Sequence, residues 1–125
     1  MEQTPHVLIV DDDREIRALL AEYLSGNGYR VSLAGEGRQM REVLAASRID
    51  LVVLDLMMPG LSAAETFRAA REIMPELPFL FCSGYAPERL LTSLQSAPST
   101  GRLAKPFSVQ ELNAAVRALL PRPPG

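Results

Sequence analysis

At four places in this sequence, polar side chains stand where a short apolar run ends: Asp11 and Asp12 after residues 6–10, Asp55 after 51–54, Ser83 after 79–82, and Lys105 after 102–104. Carboxylates gathered at one point repel unless protonated or bridged by a cation, and hard oxygen ligands of this kind suit Mg²⁺. A hydroxyl and an ammonium opposite them are wrong for metal binding and right for holding an anion. Carboxylates, a metal ion, Lys105 and Ser83 together describe a phosphoryl site, with one carboxylate spare to act as nucleophile. Each piece alone has a plainer explanation: Asp11, Asp12 and Asp13 as a solvated cap cluster, Ser83 as a helix cap, Lys105 as a surface charge before a turn. Four such features at successive run ends favour one shared site.

That site needs a scaffold that brings separate strand ends together. Residues 51–54 are consecutively apolar, as in a strand buried on both faces, and Met58-Pro59-Gly60 after Asp55 reads as a turn. Further strands are expected over 6–10, 29–33 and 79–82, with a short, weakly marked one over 102–104. A helix over 14–25 carries Ile16, Leu19, Leu20, Tyr23 and Leu24 at helical spacing, with Asp13 as cap and Gly26-Asn27-Gly28 as stop. A weaker helix over 38–47 turns Met40, Val43 and Leu44 inward. Another over 62–74 has a capping box from Ser62 to Glu65 and an inner face of Phe67, Ala70 and Ile73. Pro87 opens a helix to about Gln95, and Ser108 caps a last one through Leu120 with Leu112, Ala115, Val116 and Leu119 on its apolar face. Five strands alternating with five helices imply an α/β fold, a parallel sheet with helices on both faces. Right-handed crossovers then make it a doubly wound open sheet. Ligands bind such sheets at the carboxyl ends of the strands, where all five polar residues stand.

The 125 residues suffice for one domain with an ordinary core, and 47% hydrophobic with 22% charged residues is a globular balance. A net charge of −2 with scattered Lys and Arg gives no basic stripe for nucleic acid. No segment approaches a membrane span, and residues 1–5 lack the pattern of a signal peptide. Cys82 is the sole cysteine, which fits a reducing, cytoplasmic setting, and it is expected as a buried strand residue beside the site. His6, the sole histidine, is expected on the surface at the far end of the first strand.

The order Val10-Asp11-Asp12, Asp55-Leu56-Met57-Met58-Pro59-Gly60, Ser83-Gly84-Tyr85 and Lys105-Pro106-Phe107 resembles the receiver domain of two-component response regulators and hybrid sensor kinases. The resemblance spans residues 6–120 and implies a single receiver domain over 1–125 with a Pro-rich tail at 121–125. It implies a flavodoxin-like sheet of strand order 2-1-3-4-5, and Asp55 as acceptor of a phosphoryl group from a phosphohistidine. Asp12 would ligate Mg²⁺ directly, Asp11 largely through water, and Asp55 and the Met57 carbonyl would complete the metal set. Lys105 would pair with the phosphoryl oxygens, and Ser83 would move to hydrogen-bond them.

Arg102 departs from the family pattern, since many receivers carry an aromatic three residues before the lysine. Tyr85 is an aromatic near the site. Gly84 leaves the path to Asp55 open, and Met57 cannot orient a hydrolytic water as a carboxamide or carboxylate could, so self-dephosphorylation is expected to be slow. With no second histidine, a sensor histidine kinase or histidine phosphotransfer protein must supply the phosphoryl group. Output must pass through a protein partner, without direct nucleic-acid or membrane contact, whether the domain is free-standing or excised from a larger protein. The competing readings are a pseudo-receiver scaffold and a Mg²⁺-dependent phosphohydrolase. The second is weakened by Met57, which stands where such hydrolases place a second acid.

Overall fold

A computed structural model of the chain describes residues 4–58, 63–84 and 87–120. The elements run β1 (His6–Val10), α1 (Arg14–Gly26), β2 (Arg30–Ala34), α2 (Gly37–Ala46), β3 (Leu51–Asp55), α3 (Ala63–Ile73), β4 (Phe79–Ser83), α4 (Glu88–Gln95), β5 (Thr100–Ala104) and α5 (Val109–Leu119). All neighbouring strands pair in parallel, in the order β2-β1-β3-β4-β5, as expected of the doubly wound sheet. The turn at Pro59 and Gly60, the Ser62 cap, Tyr85 and the tail 121–125 lie outside the described residues.

Side chains alternate across the strands and feed two cores. Leu8, Val10, Val52, Leu54, Phe79 and Phe81 face α2, α3 and α4, where Met40, Leu44, Phe67, Ala70, Leu91 and Leu94 meet them. Val7, Ile9, Leu51, Val53, Leu80 and Cys82 face α1 and α5, against Leu20, Leu24, Leu112 and Val116. β1, β3 and β4 are buried along their whole length, which is why they read as unbroken apolar runs. In the first core the Phe67 ring stands edge-on to Phe79 and Phe81, with centroids 4.9 and 5.5 Å away.

Helix ends follow local chemistry. The Asp13 side chain accepts from the N–H groups of Glu15 and Ile16, and Ser108 forms a full capping box with Glu111. Gly28 takes the positive φ that turns the chain after α1.

Several expectations change. β5 begins at Thr100, because Phe79 pairs with Thr100 and Leu80 with Gly101. A Cβ on Gly101 would come within 3.2 Å of Leu119, so glycine lets α5 lie close on this strand. Pro87 is the cap residue of α4 rather than its first turn. Leu19, Leu33 and Ile73 are exposed at 59%, 43% and 45%, although periodicity placed Leu19 and Ile73 inward; Met74 packs against the core instead of Ile73. His6 is buried rather than on the surface, its Nε2 lying 2.6 Å from Ser32 Oγ. Among the described residues no helix is long and apolar enough to cross a membrane.

Candidate functional site

The strand order reverses at β1, which has β2 on one side and β3 on the other. Asp11 and Asp12 follow β1, Asp55 closes β3, Ser83 closes β4, and Lys105 follows β5. The ladders continue one residue past three of these ends. Asp11 N–H donates to the Ala34 carbonyl, Leu56 N–H to Cys82, and Lys105 N–H to Ser83 at 2.8 Å. The polar side chains are therefore launched from backbone already fixed by the sheet.

Oxygen atoms of Asp11, Asp12 and Asp55 lie within 4.8 Å of one another. Asp11 and Asp55 are buried and Asp12 is exposed, so the cluster opens to solvent on one side. Local bonds aim the carboxylates. Asp11 Oδ1 accepts from Asp13 N–H at 2.9 Å and Asp55 Oδ1 from Met57 N–H at 3.0 Å. Lys105 Nζ lies 3.3 Å from Asp11 Oδ2 and 3.6 Å from Asp55 Oδ2.

Burial pushes the Asp55 pKa up, and the neighbouring Asp11 charge adds to this. The Met57 N–H and the Lys105 ammonium oppose the rise without cancelling it. Burial works against the Lys105 ammonium, but Asp11 and Asp55 outweigh it and raise its pKa. Three carboxyl groups converge here beside one ammonium, a donor set of hard oxygens that fits a divalent cation such as Mg²⁺.

Ser83 Oγ is buried and has no hydrogen-bond partner among the described residues. It shares this state with the Tyr29 hydroxyl beneath α1 and α5, but Ser83 borders the charged cluster, one residue beyond the Cys82 that pairs with Asp55. Cys82 is buried beside the site, as expected, and burial pushes its thiol up to about 12. Such a thiol stays protonated and poorly nucleophilic at neutral pH. A Cβ on Gly84 would meet only Lys105 Cβ, at 3.7 Å, an ordinary contact. The Met57 side chain is half exposed. Arg102 does not reach the carboxylates. Its Nη1 lies 3.0 Å from Glu88 Oε1 of α4, across a cleft of about 290 Å³ that Ser83 and Leu91 also line.

One further residue at the site belongs to none of the motifs at the strand ends. Arg17 Nη1 donates to the Asp11 carbonyl at 2.6 Å. The available signal was an arginine one turn into the helix that follows the aspartates, since helical side chains lean toward the helix N-terminus.

The chain and its fold have counterparts among known proteins. Over 116 residues the chain is 41% identical to the response regulator MprA of Mycolicibacterium vanbaalenii and 40% identical to that of Mycobacterium ulcerans, covering 93% of this chain and 50% of each relative. The chain thus spans about half the length of the curated relatives it matches. The chemotaxis protein CheY4 of Vibrio cholerae superposes with a TM-score of 0.87 at 27% identity, over 94% of this chain and 100% of that one. The response regulator TrrA of Thermotoga maritima, solved in complex with Mg²⁺-BeF, superposes at 0.81 with 31% identity, over 94% and 100% of the two chains. Residues 7–117 match the family model of the response regulator receiver domain. The chain belongs to that family.

Proposed function

We propose that this domain is a phosphoacceptor switch in which Asp55 takes a phosphoryl group from a phosphohistidine of a sensor histidine kinase or histidine phosphotransfer protein. The observation that carries the reading is the pairing of a buried, destabilised carboxylate with unfilled polar capacity around it. Asp55 ionises against the cost of burial, and Ser83 Oγ beside it has no partner among the described residues. A phosphoryl group bonded to Asp55 would remove that carboxylate charge and give the Ser83 hydroxyl an oxygen to donate to.

In the transfer, one Asp55 carboxylate oxygen forms a bond to phosphorus as the P–N bond of the donor breaks, and the electron pair returns to the imidazole nitrogen. Lys105 gives its ammonium to a phosphoryl oxygen, and Ser83 donates its hydroxyl proton to another. Asp11, Asp12, Asp55 and the Met57 carbonyl would hold Mg²⁺, which offsets the charge of the incoming phosphoryl group. The product carries a dianionic phosphoryl group next to β4 and β5 in place of the single charge of the Asp55 carboxylate, and adds acceptor oxygens that can redistribute the surrounding loops.

The reading extends to a single receiver domain over residues 1–125, in the cytoplasm, that switches binding to a protein partner. Arg102, paired with Glu88 of α4, stands where many receivers carry an aromatic, so an aromatic side chain at this position does not serve as the switch here. Met57 offers no group to activate water, which makes for slow loss of the phosphoryl group; Met57→Asn should speed that loss.

Intact mass after incubation with acetyl phosphate and Mg²⁺ tests the proposal. One phosphoryl adduct is expected on the wild type, and none on Asp55→Asn or in EDTA. No adduct and no phosphate released would leave a scaffold. Repeated rapid release of phosphate would replace the switch with a hydrolase.

A further inference from the structure

Asp12 is exposed and its side chain makes no hydrogen bond of its own among the described residues, so the backbone on either side sets its direction. On one side, Asp13 N–H is held by Asp11 Oδ1 at 2.9 Å. On the other, the Asp11 carbonyl accepts from Arg17 Nη1 at 2.6 Å. A charge-assisted hydrogen bond to this carbonyl restrains the orientation of its peptide plane, which is the plane joining Asp11 to Asp12.

Arg17 reaches this carbonyl through space that Gly35 leaves free. A Cβ at Gly35 would lie 2.6 Å from Arg17 Nη1 and 3.3 Å from its Cζ. Gly28, not Gly35, is the described glycine with positive φ, so position 35 demands room rather than an unusual backbone. Gly35 N–H donates to Gln39 Oε1 at 2.6 Å, which anchors this loop to α2 and keeps it where the contact is tight.

We propose that Arg17 is a positioning residue of the Mg²⁺ site, holding the Asp11–Asp12 peptide so that both carboxylates converge with Asp55, and that glycine at 35 makes room for its guanidinium. The inference rests on the metal reading of Asp11, Asp12 and Asp55. Charge and position pull in opposite directions here. A guanidinium near the site repels a dication, so deleting it would tighten Mg²⁺ binding if charge alone mattered. Positioning gives the reverse sign.

Two substitutions reach the same contact from different sides. Arg17→Ala deletes the guanidinium. Gly35→Ala displaces it while keeping its charge, and the atom in the way is the tip of a flexible side chain, so the fold itself should yield little. Backbone-amide NMR titration with Mg²⁺, alongside thermal midpoints in EDTA, measures both. We expect Arg17→Ala and Gly35→Ala each to bind Mg²⁺ about tenfold more weakly, the low end of what losing such a supporting contact costs. Arg17→Lys should recover part of the loss, and the double variant should be no weaker than Arg17→Ala. Unchanged or tighter binding in both single variants overturns the proposal, as does a lowered EDTA midpoint with unchanged affinity. A wild-type protein that takes up no Mg²⁺ overturns the metal reading as well, and shows itself before any variant is made.

Discussion

At the amino ends of the strands His6 is only 6% exposed, yet its Nε2 meets Ser32 Oγ at 2.6 Å and its N–H reaches Asp50 Oδ2 at 2.8 Å. At the carboxyl ends Asp11 and Asp55 are buried as deeply, but they crowd a third carboxylate, and Ser83 Oγ beside them has no partner among the described residues. The two clusters sit on the same sheet at comparable burial. The His6 cluster is matched within the chain. The Tyr29 hydroxyl before β2 is also buried without a partner among the described residues, but it stands alone, whereas at the carboxyl ends such a hydroxyl borders crowded carboxylates. A fold tolerates an unmatched buried group where something outside the chain completes it, so the carboxyl end is where function is expected.

If the amino end is structural, removing its central group should cost stability and nothing else. His6→Ala leaves Ser32 without its ring partner and opens a void, a loss of about 2 kcal/mol. Urea unfolding would measure it, and the folded variant should accept phosphoryl groups as the wild type does. A folded His6→Ala that fails to accept would break the contrast.

The same residue gives a pH signature. Burial lowers the His6 pKa below the ordinary 6.5, Arg30 lowers it further, and the Arg48 backbone and Asp50 resist. The unfolded chain then binds the proton more readily. Stability is therefore full above 6.5 and falls as pH drops toward the lowered value, by at most about 1.4 kcal/mol per pH unit. His6→Gln should remove that slope, and an identical slope in both proteins would refute the assignment.

Asp55 carries the opposite sign. A raised carboxylate means that the folded state holds its proton longer than the unfolded chain. Stability then falls as pH rises from the ordinary carboxylate range through the raised value, and stays lower at neutral pH. Asp55→Asn should stabilise the metal-free domain at pH 7 by on the order of 1 kcal/mol, as relief of an imperfectly compensated buried charge does. Mg²⁺ should raise the wild-type midpoint and hardly move that of the variant. A less stable Asp55→Asn would mean that the Lys105 contact outweighs burial.

This contrast also separates what the sequence made legible from what it hid. The strand ends were readable because a charge directly after a fully buried run, as at Val10-Asp11 and Leu54-Asp55, has few structural uses. The extent of β5 was not, because Gly101 disfavours a strand and Thr100 stands alone between it and the loop-like Ser96-Ala97-Pro98-Ser99. Their pairing with Phe79 and Leu80 and the approach of Leu119 impose it. His6 read as a surface residue because burial of a polar group depends on a partner distant in sequence, here Ser32, which no local pattern shows. Arg17 and Gly35 escaped for the same reason. Their contact joins α1 to the loop after β2, and neither residue is unusual where it stands. Ile73 and Leu19 failed differently, since helical spacing fixes which face a residue is on but not how wide the buried stripe is.

The smallest expected stability change is the sharpest test. Ser83→Ala deletes a hydroxyl that is buried and without a partner among the described residues, so no hydrogen bond among them is lost, and the change in stability should stay within about 0.5 kcal/mol of zero. If that hydroxyl is kept for a phosphoryl oxygen, adduct formation from acetyl phosphate should slow by about tenfold or more, since one preorganised donor is removed from the developing charge. His6→Ala and Ser83→Ala then form a crossed pair, one losing stability with function intact and the other losing function with stability intact. A Ser83→Ala domain that loses stability as His6→Ala does would show a hidden structural partner for the hydroxyl. The two ends of the sheet would then differ in charge alone.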